Sequence, residues 1–215
     1  MPDLTKKRII DAATALIERE GLSAFTMRSL GKELGVSAMA IYGYFPSRED
    51  VLRAVITQFM ASLNTVPIPG ERWDDTLRRT MHSIMYTNLA HPEIASISVD
   101  PIVGEGGLEN HTETIVNLHL AQGMPEEILK PVWAMVDTYL TGFFANAATC
   151  RFKHTMPDHD YEVDMEALKA EPAWKRVIAT SYADEAFDRG IEMIIAATRA
   201  LAAPDPCDWR TPTES

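Results

Sequence analysis

Hydrophobic residues recur along this chain at three- and four-residue intervals, the spacing of one helix face. The first stripe is Ile9, Ala12, Ala13, Leu16 and Ile17, on a helix expected over 4–20. Thr5 is placed to cap its start and Gly21 to end it. Thr26 caps a second helix to 34, Ser37 a third over 38–44, and Ser47 a fourth to about 63. Asp50, three residues after Ser47, completes a capping box with Asp in place of the usual Glu. Residues 64–72 hold two prolines and a glycine and form a break. Further helices are expected over 73–90, briefly after Pro92, up to about 122, over 125–152 and over 172–202. Pro131 should kink the 125–152 helix or mark its true start. Residues 100–107 and 153–164 read as loops. No period-two strand and no repeat stands out. The fold class is therefore all-α, with about nine helices. Residues 1–50 form an N-terminal three-helix unit, 51–203 a larger helical domain, and 204–215 an expected disordered tail.

Within the first unit, the stretch TMRSLGKELGVSAMAIYGYF (26–45) is two short helices meeting at Gly35. Gly35 would supply the left-handed backbone that turns the chain. Gly31, inside a helix, costs about 1 kcal/mol against alanine, which makes sense where another helix crosses closely. Leu30, Leu34, Val36, Ile41 and Phe45 would share a small core with the first stripe. This is a helix-turn-helix, whose last helix is expected to enter the DNA major groove.

Residues 5–59 resemble the DNA-binding domain of the tetracycline-repressor (TetR) family of bacterial transcription regulators. Thr26, Arg28, Leu30, Leu34, Gly35, Val36, Ser37, Tyr42, Tyr44, Phe45 and Leu52 stand where the family pattern places them. The chain departs from it with Gly31 in place of the usual Ala and Arg48 in place of the usual Lys. The resemblance implies that Thr26, Arg28, Ser37, Ala38, Met39, Ala40, Tyr42, Gly43, Tyr44 and Arg48 face a double-stranded DNA operator. The outward positions Ala38, Met39, Ala40 and Gly43 carry no bidentate hydrogen-bond donor. Direct readout would then use apolar contact with thymine methyls, with Arg28 as the base-edge donor and DNA shape adding specificity. Tyr42 and Tyr44 either bond phosphates or pack between helices; the resemblance favours phosphates. Lys6 and Lys7 are equally readable as a solvated first turn or as backbone contacts.

Charge sharpens the division. The net charge of −11 lies entirely outside residues 1–50, where seven Lys/Arg balance seven Asp/Glu. Two cysteines, Cys150 and Cys207, in no CxxC arrangement, suit a reducing cytoplasm. No eighteen-residue apolar run spans a membrane, and residues 1–10 have no secretory pattern.

One helix-turn-helix reads half a site, so a homodimer is expected. Its interface would use Val136, Phe143, Phe187, Gly190, Ile191 and Ile194, which lie on apolar stripes of the last two long helices. The same stripes could instead be intramolecular core. The resemblance also implies a pocket for a largely apolar small-molecule effector. His82, Met85, Tyr86, His119, Trp133, Asp137 and Phe144 are the candidates, each also readable as core or solvated surface. Asp137, if buried, needs a partner such as His82 or His119. A helical enzyme finds no support: HExxH and GxSxG are absent, GEGG at 104–107 lacks a following Lys-Ser/Thr, and the six histidines lack metal spacing. No catalytic residue, cofactor or metal is expected. The function implied is a ligand-responsive repressor. The other reading is a DNA-binding regulator controlled by a protein partner or by oxidation of Cys150.

Overall fold

The computed structural model describes residues 4–98, 103–148, 166, 169–180 and 186–213. Among these are ten α-helices and one 3-10 turn. They are α1 (Lys6–Glu20), the 3-10 turn (Leu22–Ala24), α2 (Met27–Leu34), α3 (Ala38–Tyr42) and α4 (Arg48–Met60). Next come α5 (Trp73–Ala90), α6 (Pro92–Ser98), α7 (Gly104–Ala121) and α8 (Glu126–Ala148). The last two are α9 (Ala173–Thr180) and α10 (Ala186–Ala202). The chain divides into two compact units. One is Met1–Thr65 with Tyr86–Ile115, the other Val66–Met85 with Val116–Ser215. The expected boundary at residue 50 thus moves. Val51, Leu52, Val55 and Ile56 of α4 are buried, and α4 packs on α1 and α6. Its apolar face therefore belongs to the first unit.

The first unit is built on the anticipated stripe: Ile9, Ala13, Leu16 and Ile17 are buried on α1. Each of the first helices begins at a side-chain cap. Thr5 accepts from the Arg8 amide, Thr26 from Ser29, Ser37 from Ala40 and Ser47 from Asp50. The Ser47 hydroxyl also donates to the Asp50 carboxylate at 2.7 Å. α6 is tied to the start of the chain by polar contacts at its own N-terminus. His91 Nδ1 lies 2.6 Å from the Glu18 carboxylate, and the Leu22 amide donates to Glu93 Oε2 at 3.2 Å.

In the second unit α8 packs on α10. α8 begins five residues before Pro131, so that proline does not mark its start. Its missing N–H removes one bond, to the Glu127 carbonyl, on an exposed side of the helix where water can serve. The long last helix expected over 172–202 is found as α9 and α10, with 181–185 outside the described residues.

The tail departs most from expectation. Residues 204–213 are an ordered arm, not a disordered end. Cys207, Trp209 and Thr211 are buried while Asp208 and Arg210 face out, the period-two pattern of extended chain. The arm hydrogen-bonds at both sides. Trp73 N donates to Trp209 O, Gly70 N to Thr211 O, Thr211 N to Glu71 O and Arg210 N to Gln122 O, at 2.9–3.1 Å. The fully buried Trp73 indole donates to Cys207 O at 3.0 Å and packs on the Trp209 ring, centroids 5.7 Å apart. Below the arm, Gln122 Nε2 reaches Thr76 Oγ1 and Thr211 Oγ1 at 2.7 and 3.0 Å. Backbone pairing plus a buried indole is what outweighs the entropy of ordering ten residues. Trp209→Ala is expected to lower unfolding free energy by about 3–5 kcal/mol, the usual range for a buried aromatic. Urea denaturation checks this; a change within 0.5 kcal/mol, of order the ordinary surface scatter, would show the arm to be dispensable.

Candidate functional site

The turn between α2 and α3 is built by two glycines with different duties. Gly35 adopts φ +70 and ψ +30, the left-handed conformation that closes α2, and its amide reaches the Lys32 carbonyl. Gly31 is a matter of space. A Cβ there would lie 2.9 Å from Val36 O and 3.2 Å from Ala38 N, both backbone atoms. The close crossing expected from the sequence is present. It brings the first turn of α3 onto α2. Leu30, Leu34, Ile41 and Phe45 then close the core from inside.

With Ile41 turned inward, α3 presents its other residues to solvent. Met39 is 76% exposed and Tyr42 43%. Ala40 and Gly43 are exposed beside them, and Ala38 is half-buried. Thr26 and Ser37 lie at the outer ends of their helices as caps. Arg28, in the first turn of α2, is exposed and, like Lys32 on the same helix, carries no ion pair or hydrogen bond among the described residues. Other cations of this unit are neutralised locally. Lys7 meets Asp11, Arg19 meets Glu20 and Glu33, and Arg53 meets Asp50. The local balance of charge therefore conceals two unpaired cations on α2. Lys32 was missed from the sequence because only its partnerless state sets it apart.

Two expected contact residues are otherwise engaged. The Tyr44 hydroxyl donates to Leu4 O at 2.7 Å, so its one proton ties down the start of the chain. Arg48 Nε donates to Phe25 O at 3.1 Å and its guanidinium lies over the Phe25 ring. Both side chains brace this unit internally, the packing alternative for Tyr44.

The candidate effector residues do not converge. Asp137 and Tyr86 are exposed. His82 Nε2 contacts Asp188 Oδ1 at 2.6 Å, and His119 Nδ1 contacts Gln122 Oε1 at 3.1 Å. The suggested Asp137–histidine pair is thus replaced by two others. Met85, Trp133 and Phe144 are half-buried, with Phe144 edge-on to Phe143. A cavity of about 130 Å³ instead lies in the first unit, lined by Thr57, Met60, Ala61, Thr65, Asn110, His111 and Thr114. None of the seven candidates lines it. The signal was polar residues at 110, 111 and 114, one face of α7, opposite 57 and 60, one face of α4. His111 Nε2 is buried without a partner, as are Asn88 Oδ1 and His119 Nε2. Burial lowers the His111 pKa and pushes that of His119 down to about 4.

The candidate dimer residues lie inside the chain. Val136, Phe143, Phe187, Ile191 and Ile194 are buried in the α8–α10 seam. A Cβ on Gly190 would fall 2.2 Å from the Tyr139 ring, so the close approach it permits is to its own α8. Periodicity marks an apolar face without saying whose surface covers it. The solvent side of the seam carries Ala134, Met135, Thr138, Thr141 and Gly142 on α8. On α10 it carries Met193, Ala196, Ala197, Ala200 and Leu201. Cys150 lies outside the described residues, and Cys207 is buried. Among the described residues, no group of three His, Cys, Asp or Glu is placed to hold a metal, and no helix is long and apolar enough to cross a membrane.

A trihelical head with a glycine turn and an outward α3 defines a helix-turn-helix DNA-binding protein. Family models agree over most of the chain. "Bacterial regulatory proteins, tetR family" matches residues 9–55, and "Tetracyclin repressor-like, C-terminal domain" matches residues 66–201. The chain belongs to the tetR family of DNA-binding transcriptional regulators. It is 24% identical over 208 residues to an HTH-type transcriptional regulator of Saccharopolyspora erythraea, covering 94% of this chain and 87% of that one. It is 25% identical over 143 residues to the transcriptional repressor DrrR1 of Streptomyces coeruleorubidus, 66% of this chain and 53% of the relative. Among solved structures, Streptomyces coelicolor ActR in complex with (S)-DNPA superposes with a TM-score of 0.71 at 23% identity, over 94% of this chain and all of that one.

The buried histidines set a pH dependence. A histidine whose folded pKa lies below its unfolded value near 6.5 contributes stability that is complete above pH 6.5. For His119 that contribution is lost as pH falls towards about 4. His111 acts in the same direction. Unfolding free energy should therefore decline from pH 6.5 to 4, and His119→Asn should decline less steeply. Equal slopes in the two proteins would contradict the buried neutral imidazole.

Proposed function

We propose that this protein is a ligand-responsive repressor that binds a palindromic operator as a homodimer and is released from it by a small molecule. The observation that carries this reading is the outward face of α3. Met39, Ala40, Tyr42 and Gly43 stand free of the core, with unpaired Arg28 and Lys32 on the adjoining helix. Tyr42 and Lys32 bond phosphates, and Arg28 reaches a base edge. Thr26 and Ser37 set the helix starts, and Arg48 and Tyr44 hold the head rigid. This differs from a role for all ten residues in direct contact.

A symmetric dimer supplies the second half-site. The uncovered side of the α8–α10 seam suits it, because its small residues let a second pair of helices approach. The cavity between α4 and α7 suits an effector. Its buried His111 Nε2 offers a hydrogen bond that a ligand's polar group can complete. Complexes such as ActR with (S)-DNPA support a sensing role for this architecture.

Fluorescence anisotropy with DNA from upstream of the protein's own gene, across a salt series, tests the reading. Tyr42→Ala should weaken binding at least about tenfold, within the 1–3 kcal/mol typical of a lost contact. Lys32→Ala should reduce the slope of log affinity against log salt by about one per head. Met193→Glu should turn a sedimenting dimer into a monomer and abolish tight binding. Compounds that raise the melting temperature should lower DNA affinity. Stabilising compounds that leave DNA affinity untouched would argue for control by a protein partner.

A further inference from the structure

Met39 is the most exposed large apolar side chain among the described residues. It occupies the second position of α3, and its exposed neighbours Ala40 and Gly43 add no polar group. The Ser37 hydroxyl is turned back onto the Ala40 amide. Besides the proton of that hydroxyl, the groups that the first turn of α3 offers are a thioether and methyls. An exposed methionine, with unpaired cations on the preceding helix, suits a surface that is polyanionic overall and apolar at points. The DNA major groove is such a surface. Its edges carry donors and acceptors at every base pair, but one apolar group alone, the C5 methyl of thymine.

We propose that Met39, flanked by Ala40, reads pyrimidine C5 methyl groups in the operator, and that 5-methylcytosine is recognised there much as thymine is. The inference rests on the DNA-binding reading of the head. A thioether is polarisable and makes contact through dispersion and dehydration of the methyl. It senses neither the O4 of thymine nor the N4 amino group of cytosine as a hydrogen-bonding partner would. Discrimination at this position therefore lies in the methyl, and cytosine methylation becomes a way to strengthen a site that has cytosine in that place. Arg28, free and on α2, supplies the donor for a neighbouring guanine.

The test begins with duplexes enriched from a random pool by the full-length protein. At each enriched thymine, four duplexes are compared by anisotropy: thymine, uracil, cytosine and 5-methylcytosine, each with its complementary purine. One position per half-site should show thymine tighter than uracil, and 5-methylcytosine tighter than cytosine, by the same factor. That factor is about fourfold per methyl, the worth of one buried carbon. Met39→Ala should bind the methylated and unmethylated member of each pair alike, with an unchanged circular dichroism melt, because the side chain is outside the core. Enriched sites without thymine, methyl removal without effect, or a methyl effect that survives in Met39→Ala would each overturn the inference while leaving DNA binding intact. Failure to enrich any duplex would overturn the DNA-binding reading, and this inference with it.

Discussion

The approach of two backbones at Gly31 is the constraint on which the head depends. The space for a side chain there is filled by Val36 O and Ala38 N. Backbone atoms cannot swing aside as a side chain can. The contact works only because Gly35 enters the left-handed region and returns the chain at once. From that crossing the rest of the head follows. Ile41 is driven into the core and Met39, Ala40 and Tyr42 are driven out. A helix of five residues could not hold that orientation by its own hydrogen bonds. Phe25, with the Arg48 guanidinium over its ring, and the Tyr44–Leu4 hydrogen bond hold the rest.

The second unit solves a different problem, that of closing a polar interior. Gln122 sits 5% exposed and meets Thr76, Thr211, the Glu71 carbonyl and His119. Asp74, 4% exposed, gathers Arg72, Arg78 and Arg199. Burial would raise the Asp74 pKa, yet its hydrogen bond to Arg72 and the three guanidinium charges hold it below the usual carboxylate range. Each bond made in such a network removes an unpaired buried polar group. The C-terminal arm adds Thr211 to the first, which leaves His119 Nε2 without a partner, and Arg199 of α10 joins the second.

Local signals were legible where one residue type carries the reason. Thr5, Thr26, Ser37 and Ser47 cap as their spacing indicates, and Gly35 turns. The α1 stripe and the helix-turn-helix were readable for the same reason. What escaped depends on partners distant in sequence. Cys207, Trp209 and Thr211 alternate in a strand-like pattern, but five residues among prolines and charges resemble a frayed end until Trp73 and Gln122 are brought beside them. The α8 and α10 stripes are legible as apolar faces, open to a second chain or to the chain's own core; Tyr139 and Gly190 meet within one chain, which is the second of these. The effector candidates are isolated polar groups, and that pattern does not say that His111, and not His119, lines the cavity; each keeps a buried Nε2 without a partner.

On the proposed reading, α3 lies in a major groove once per half-site. Dimethyl sulfate protection on an enriched duplex addresses it directly, because guanine N7 is alkylated from the major groove and adenine N3 from the minor. Guanine N7 should be protected in two patches about one helical turn apart, and the protection lost in Tyr42→Ala. Protection confined to adenine N3, or a single unpaired patch, would contradict it.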